Sequence, residues 1–375
     1  MAGNYDALVV GAGLWGATVA RRLADAGQKV RVLESRPVIG GNCRCEIDPA
    51  TGIEVHIYGS HIFHTNNTAV WAFLNRFMEL NAYHHQVLAK HNGELYFLPL
   101  GLALVNRFYQ KQLTPSELPA FIAAEAGHAE GEPRNFEEQA IRLIGRPLYE
   151  AFIREYTRKQ WNRDPKELSA AIICRLPVRV NYDVGYFTAR YQGIPAEGFN
   201  RLFERMLDHP NIHLELNTPF TLGEKNLPVY SSAPLDALFG YRLGPLTWRS
   251  LRFETVRQPV MDWQGTSVIN YVDADVPWTR IHEYKHYHPE WQEAFAAKET
   301  IIAREYPADW HLGDEPYYPV ATPETAALVE RYRQLAKEYP NMVIGGRLGA
   351  YRYYDMDQSV AAALETADRA LKENK

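Results

Sequence analysis

Cysteine is scarce in this chain of 375 residues: Cys43, Cys45 and Cys174 are its three thiols. They form no C-x-x-C pair and no metal-ligand spacing, so neither disulfide exchange nor a metal site is expected, and the three are read as structural. Long apolar runs are missing too. No stretch approaches the roughly 18 residues of a membrane span, and the N-terminus runs straight into a strand instead of through a basic, apolar, small-residue leader. The expectation is a cytoplasmic protein with no membrane span. Nor is one sign of charge in excess. A net charge of -5 offers nothing to a phosphate backbone, so nucleic acid is not an expected partner. Internal repeats and low-complexity segments are lacking as well.

What is present is an ordinary globular balance, 46% hydrophobic and 23% charged, on a length that suits roughly two or three domains. Tyrosine (23) and tryptophan (8) are plentiful, and aromatic faces suit flat ligands and sugars. The small-molecule reading begins at the N-terminus. Tyr5 to Val10 reads as a strand, Gly11-Ala-Gly13-Leu14-Trp15-Gly16 as a glycine loop, Ala17 to Ala26 as a helix and Val30 to Leu33 as a second strand ending on Glu34. That is a complete βαβ unit with an acid placed to accept hydrogen bonds from ribose hydroxyls. Ser35-Arg36-Pro37-Val38-Ile39-Gly40-Gly41-Asn42 adds a glycine doublet that lets backbone amides approach a pyrophosphate or flavin, pointing to FAD instead of NAD. Far away in sequence, Gly346 to Asp357 is dense in Arg, Tyr and Asp and reads as the far wall of the same site, with Asp355 and Asp357 near the start of a final helix from about 357 to 372.

Between these ends, apolar spacing gives a helix within 67–80, and Asn92-Gly93 marks a hairpin between 86–90 and 94–98. Thr114-Pro-Ser-Glu117 and Asn135 with Glu138 are capping signals, so residues 100–175 should be mostly helical. Alternation at 177–187 and 251–306 predicts a second domain built around a mixed or antiparallel sheet, while 200–207, 212–216 and 229–231 return to the nucleotide domain. The expected division is an FAD domain made of 1–80, 198–240 and 320–375, a helical lobe over 81–176 and a sheet domain over 177–197 and 241–319.

Two segments carry candidate chemistry. Tyr58-Gly-Ser60-His61-Ile-Phe-His64 sets two histidines three apart, readable as a metal pair, a buried structural pair or polar groups facing a flavin. Tyr156-Thr-Arg-Lys-Gln-Trp161 with Arg175-Leu-Pro-Val-Arg179 offers forked cations for a diphosphate and rings for a base; a solvated charged helix face is the alternative.

Five separated motifs, Y-G-x-H-I-F-H-T at Tyr58, Y-T-x-K-Q-W at Tyr156, R-L-P-V-R at Arg175, V-P-x-T-R-I at Val276 and G-R-L-G-x-Y-x-Y-x-D-M at Gly346, together with the FAD fingerprint, resemble bacterial UDP-galactopyranose mutases along essentially the whole chain. The resemblance implies an α/β fold: a Rossmann-like FAD domain, an inserted helical lobe with a mobile lid at 161–175, and a mainly antiparallel six-stranded sheet, commonly in a homodimer. It implies interconversion of UDP-galactopyranose and UDP-galactofuranose. Reduced FAD, renewed by an external reductant such as NADPH, would attack the sugar's anomeric carbon through N5 with no net redox change.

By motif, Arg175 and Arg280 fall on the diphosphate, with Tyr186, Tyr317 or Tyr318, and Tyr353 as phosphate-contacting hydroxyls. Phe152, Tyr156 and Trp161 fall on the uridine. His61, His64, His85 and Asn270 fall near sugar or flavin, and Arg249, Arg347, Asp355 and Met356 on the flavin side. Ser60 stands where the family often has proline or another small residue, and falls near the sugar, where its size would leave room for other substituents. Competing readings are a mutase for another nucleotide sugar, an amine-oxidase-like FAD oxidoreductase and a non-catalytic nucleotide-sugar binder.

Overall fold

The computed structural model describes residues 5–127, 131–173, 176–224, 226–320 and 322–373. Two of the residues singled out above, Cys174 and Arg175, therefore lie outside the described part. Two sheets organise the chain. The first is parallel, in the order Met342–Ile344, Val229–Ser231, Ala7–Val10, Val30–Leu33, Ile212–Glu215. Its central strands are runs of Val, Leu and Ala with no polar alternation, the composition of strands covered on both faces. One cover is the Leu14–Asp25 helix, which packs against the helices Phe199–Leu207 and Met356–Glu373. Val9, Val19, Leu23, Val32, Phe203 and Val360 meet there with no exposed surface, so segments separated by hundreds of residues share one core.

The second sheet has seven strands, in the order Tyr318–Pro319, Trp248–Gln258, Thr300–Asp309, Arg280–Glu283, Val268–Tyr271, Val87–His91, Glu94–Leu98. Six strands, mainly antiparallel, were expected. The hairpin built on Asn92 and Gly93, both with positive φ, supplies two of the seven and extends the sheet instead of belonging to the helical lobe. It does so by pairing Val87–His91 in parallel with Val268–Tyr271, an edge that would otherwise leave its backbone groups unpaired. The sheet is therefore mixed. Conversely, 177–187 forms no strand. Its carbonyls at Asp183, Gly185 and Tyr186 are taken by the Arg179 guanidinium, which closes the segment into a loop. Only Tyr191–Gly193 is extended, and it pairs with Phe63–Thr65 in a separate two-stranded ribbon.

The helical lobe comprises Leu102–Phe108, Leu118–Ala126, Phe136–Ile144 and Glu155–Trp161, closed on Leu102, Val105, Ile144, Leu148 and Tyr149. Asn135 accepts the Glu138 N–H at 2.9 Å, the expected cap. At Thr114 the helix instead begins only at Leu118, and the Glu117 carboxylate accepts from both the amide and the hydroxyl of Thr114. The lobe is tied to the sheet by Lys159. Its ammonium donates to the carbonyls of Tyr271, Asp273, Val276 and Trp278 at 2.6 to 3.3 Å.

Candidate active site

The carboxyl ends of the parallel strands open on a cavity of about 440 Å³. This is where an open α/β sheet places its ligand. Gly16 makes the helix start possible: a Cβ there would lie 1.9 Å from the carbonyl oxygen of Gly11. On the opposite wall a Cβ on Gly345 would fall 2.3 Å from the Trp15 indole, so the C-terminal segment can close over the N-terminal loop only with glycine at that place. The wall brings together Gly11, Gly13, Leu14, Trp15, Glu34, Ser35, Arg36, Gly40, Gly41, Asn42 and His61 with Arg347, Asp355 and Met356. Gly16 supports the loop from below.

Glu34, 5% exposed, accepts the amides of Ala12 at 2.8 Å and Arg36 at 2.9 Å, fixing the loop as well as facing the cavity. Arg36 gives one terminal nitrogen to Asn42 and Glu315, and its other, Nη1, is buried without a partner. Nδ1 of His61 is buried and unpartnered too. Buried polar atoms seldom go unpaired, so two on one glycine-lined wall fit a ligand that carries its own polar edge, as a flavin dinucleotide does. Burial, with Arg347 nearby, holds the His61 imidazole down at about 3, so it is neutral there.

The two histidines three apart separate. His61 faces the nucleotide cavity, whereas His64 stacks on Phe187 with ring centroids 3.8 Å apart. His85 stacks more loosely on the same ring, at 5.7 Å, and burial lowers it to about 3. Phe187 is thus an aromatic divider between two histidines. Nothing in its sequence context marks it.

Arg280 is the centre of the second constellation. On its strand it faces Asn270 on one side and Glu305 on the other. Its Nη2 donates to the Tyr156 hydroxyl at 2.5 Å, and its Nε lies 3.2 Å from Glu305 Oε1. Burial opposes charge on Glu305, but Arg280 and the hydrogen bond from His282 prevail and hold its carboxyl at about 2. Tyr156 is pushed up to about 12 by burial. Tyr186 and Tyr318 also lie within electrostatic reach of the guanidinium. Tyr318 stacks on Tyr353 at 5.6 Å, and Arg347 sits over both rings at 5.6 and 5.2 Å. Of Tyr317 and Tyr318, the second lies toward Arg280, whereas Tyr317 is turned toward Tyr58, Phe253 and Glu315.

Several sequence-based placements need correction. Arg249 is not on the cavity wall: its guanidinium binds Asp309 at 2.8 Å and the Gln160 carbonyl at 2.6 Å, holding the end of the Glu155–Trp161 helix. Phe152 sits 3% exposed in the lobe core, edge-on to Tyr96 and Phe108, which leaves little ring surface for a base. Trp161 packs on the same core. Arg179 is the loop clamp described above. Ser60 does not leave polar room: its hydroxyl is held by Tyr287 and by Nδ1 of His282 at 2.6 Å. Glu305, His282 and Tyr287 carry no local sequence signal, because strand register brings the first two together and the turn after Arg280–Glu283 brings in the third.

Among the described residues two side-chain groups have the composition of metal ligands, Cys45, Glu54 and His56, and Asp262, Glu283 and His286. In both, the carboxylate already serves protein donors. Glu54 accepts from the Phe199 amide and from His288, while Glu283 accepts the amides of Trp263 and Gln264 and the Thr300 hydroxyl. Burial pushes the Cys45 thiol upward, away from the thiolate a metal would need.

A parallel sheet whose strand ends meet a glycine-lined cavity, joined to a mixed sheet carrying an arginine and tyrosine cluster, defines a protein with a Rossmann-like, flavin-type nucleotide-binding fold. The comparisons agree and narrow the class. A family model described as NAD(P)-binding Rossmann-like domain matches residues 9–77, and one described as UDP-galactopyranose mutase matches 151–353. A Klebsiella pneumoniae protein described as "Probable UDP-galactopyranose mutase" is 43% identical, over 98% of this chain and 95% of its own. An Escherichia coli "dTDP-fucopyranose mutase" is 40% identical, over 98% and 99%. The Mycoplasma pneumoniae UDP-galactopyranose mutase is 34% identical, over 98% and 97%. A crystal structure of a reduced UDP-galactopyranose mutase superposes with a TM-score of 0.77 at 17% identity, over 98% and 96% of the two chains, and shows the shared fold. This chain belongs to the UDP-galactopyranose mutase family, a family of isomerases.

Proposed function

We propose that the protein is a flavin-dependent isomerase interconverting UDP-galactopyranose and UDP-galactofuranose. The observation that carries this reading is the Arg280 cluster, a forked cation ringed by the hydroxyls of Tyr156, Tyr186 and Tyr318. Such a set binds a diphosphate and stabilises it as a leaving group, because charge-assisted, geometrically matched hydrogen bonds strengthen as negative charge collects on the bridging oxygen. Arg175, on the segment 161–175, would add a second guanidinium by closing over the ligand. Reduced FAD, bound along the glycine-lined wall, would supply the nucleophile for the anomeric carbon and be regenerated each cycle. Neutral His61 suits a site that must position a sugar without adding positive charge beside an electron-rich ring. The reading extends to an external reductant such as NADPH, a homodimer and a cytoplasmic address.

The test is to reduce the purified protein with dithionite, supply UDP-galactopyranose, UDP-galactofuranose and dTDP-fucopyranose, and separate products by chromatography. The dTDP-sugar is included because a relative of nearly equal identity is named for it. Ring interconversion by the reduced protein without stoichiometric reductant use is the expected result. Substrate conversion that consumes one NADPH per turnover would instead favour an oxidoreductase.

A further inference from the structure

Behind Arg280 lies a chain of polar groups that neither cofactor nor substrate binding accounts for. Tyr287, which has no exposed surface, donates its hydroxyl to Ser60. Ser60 is 2.6 Å from Nδ1 of His282, a side chain 1% exposed, whose Nε2 is 3.0 Å from Glu305 Oε2. Glu305 also accepts from Thr279 at 3.2 Å, and the chain closes on an ion pair, with Glu305 Oε1 3.2 Å from an Arg280 Nε that makes no hydrogen bond.

The direction of each hydrogen bond from Tyr287 to Glu305 is fixed. A carboxylate can only accept, so His282 carries its proton on Nε2. Burial pushes His282 below its ordinary value, so the ring is neutral and Nδ1 is an acceptor. Ser60 must then donate to Nδ1, which leaves its oxygen to accept from Tyr287. The Tyr287 ring is itself wedged between His56 and Tyr83, at centroid distances of 5.0 and 5.3 Å.

We propose that Tyr287, Ser60 and His282 are positioning residues: a one-way relay that orients Glu305 and, through it, the Arg280 guanidinium toward the substrate diphosphate. The inference deepens the functional reading above and rests on it. A guanidinium touched only by Tyr156 could rotate about its terminal torsions, and Glu305 removes that freedom only if its own carboxylate is held on the far side. His282 supplies that hold. Ser60 fixes the tautomer that makes it possible. Since Asn270 and Arg280 are cross-strand partners on the same sheet, the relay also sets the distance between the diphosphate contact and whatever Asn270 meets.

The decisive experiment is a set of double-mutant cycles. UDP affinity of the flavin-loaded protein is measured for Ser60→Ala, Tyr287→Phe and His282→Gln, each alone and combined with Arg280→Lys, with bound flavin absorbance reporting that every variant is folded. In the unaltered background we expect UDP affinity to fall roughly 3- to 10-fold per variant, with KM for the sugar nucleotide rising more than kcat falls. In the Arg280→Lys background, where a rotatable point charge replaces the planar guanidinium that Glu305 pairs with, the same changes should cost under about 2-fold. Equal losses in both backgrounds would overturn the inference while leaving the functional reading intact. Failure of the unaltered protein to bind UDP at all would overturn both. Ser60→Ala and Tyr287→Phe each delete a single hydroxyl, so the cycle stands even if His282→Gln misfolds.

Discussion

Tyr317 and Tyr318 are adjacent in sequence and face opposite surroundings, which makes them a sharp test of the site. Tyr318 lies on the Arg280 side, stacked with Tyr353 beneath Arg347, while Tyr317 is 6% exposed and packs against Tyr58 and Phe253. Removing the Tyr318 hydroxyl should reduce kcat/KM by about 5- to 30-fold with flavin content unchanged, as expected for one hydrogen bond to a charged ligand. Tyr317→Phe should leave kcat/KM within about 2-fold, since a contact outside the site adds no transition-state binding. Steady-state rates of the two variants check this directly, and a larger loss for Tyr317→Phe would reverse the assignment.

One residue of the Glu155–Trp161 helix makes the largest set of hydrogen bonds described between the helical lobe and the sheet. Lys159 reaches four carbonyls of the turn that connects Val268–Tyr271 to Arg280–Glu283, and burial lowers its ammonium to about 8, still protonated at neutral pH. The same helix carries Tyr156, so the clamp also sets where the Arg280 partner stands. Lys159→Met keeps the length of the side chain and removes every donor. It should lower stability by about 2 to 3 kcal/mol, because buried carbonyls lose partners that water replaces only in part. Urea unfolding followed by circular dichroism measures this, and a midpoint equal to that of the unaltered protein would show that water satisfies the turn.

Taken whole, the molecule buries four histidines on which burial disfavours charge. His56, His61, His85 and His282 are all pushed below their ordinary value of 6.5, each mainly by burial, whereas His286 is raised by Glu283 and Asp262 against burial. The sign follows from proton uptake. Below about pH 6.5 the unfolded chain binds protons that four buried rings refuse, so stability is complete above that pH and falls as acid is added. His286 acts in the opposite sense, stabilising below 6.5 and losing that as pH rises through its raised value, one group against four. Glu305, at about 2 against 4.5 for a free carboxyl, adds a further loss below pH 4.5. The urea midpoint should therefore drop steadily between about pH 7 and pH 5, and less steeply in His85→Asn. A flat midpoint over that range would show that the rings titrate normally.

The N-terminal βαβ unit, the hairpin at Asn92-Gly93, the last helix and the pairing of both chain ends around one cavity were legible because each is written locally, in glycine placement, turn chemistry and apolar period. Motif spacing likewise pointed to the family, since separated short motifs survive where the surrounding residues do not. Other features had no local trace. The hairpin's parallel pairing, the seventh strand and the loop at 177–187 were decided by which sheet edge stood open and which guanidinium reached the backbone first. Arg249, Phe152 and Ser60 were assigned by motif and went elsewhere once Asp309, the lobe core and His282 competed for them. The relay from Tyr287 to Arg280 joins residues 60, 282, 287 and 305 across a strand pair and a loop. Sequence determines which groups exist and how each short segment prefers to fold; only packing determines which of them find each other, because a buried donor binds whichever acceptor the tertiary fold brings within reach.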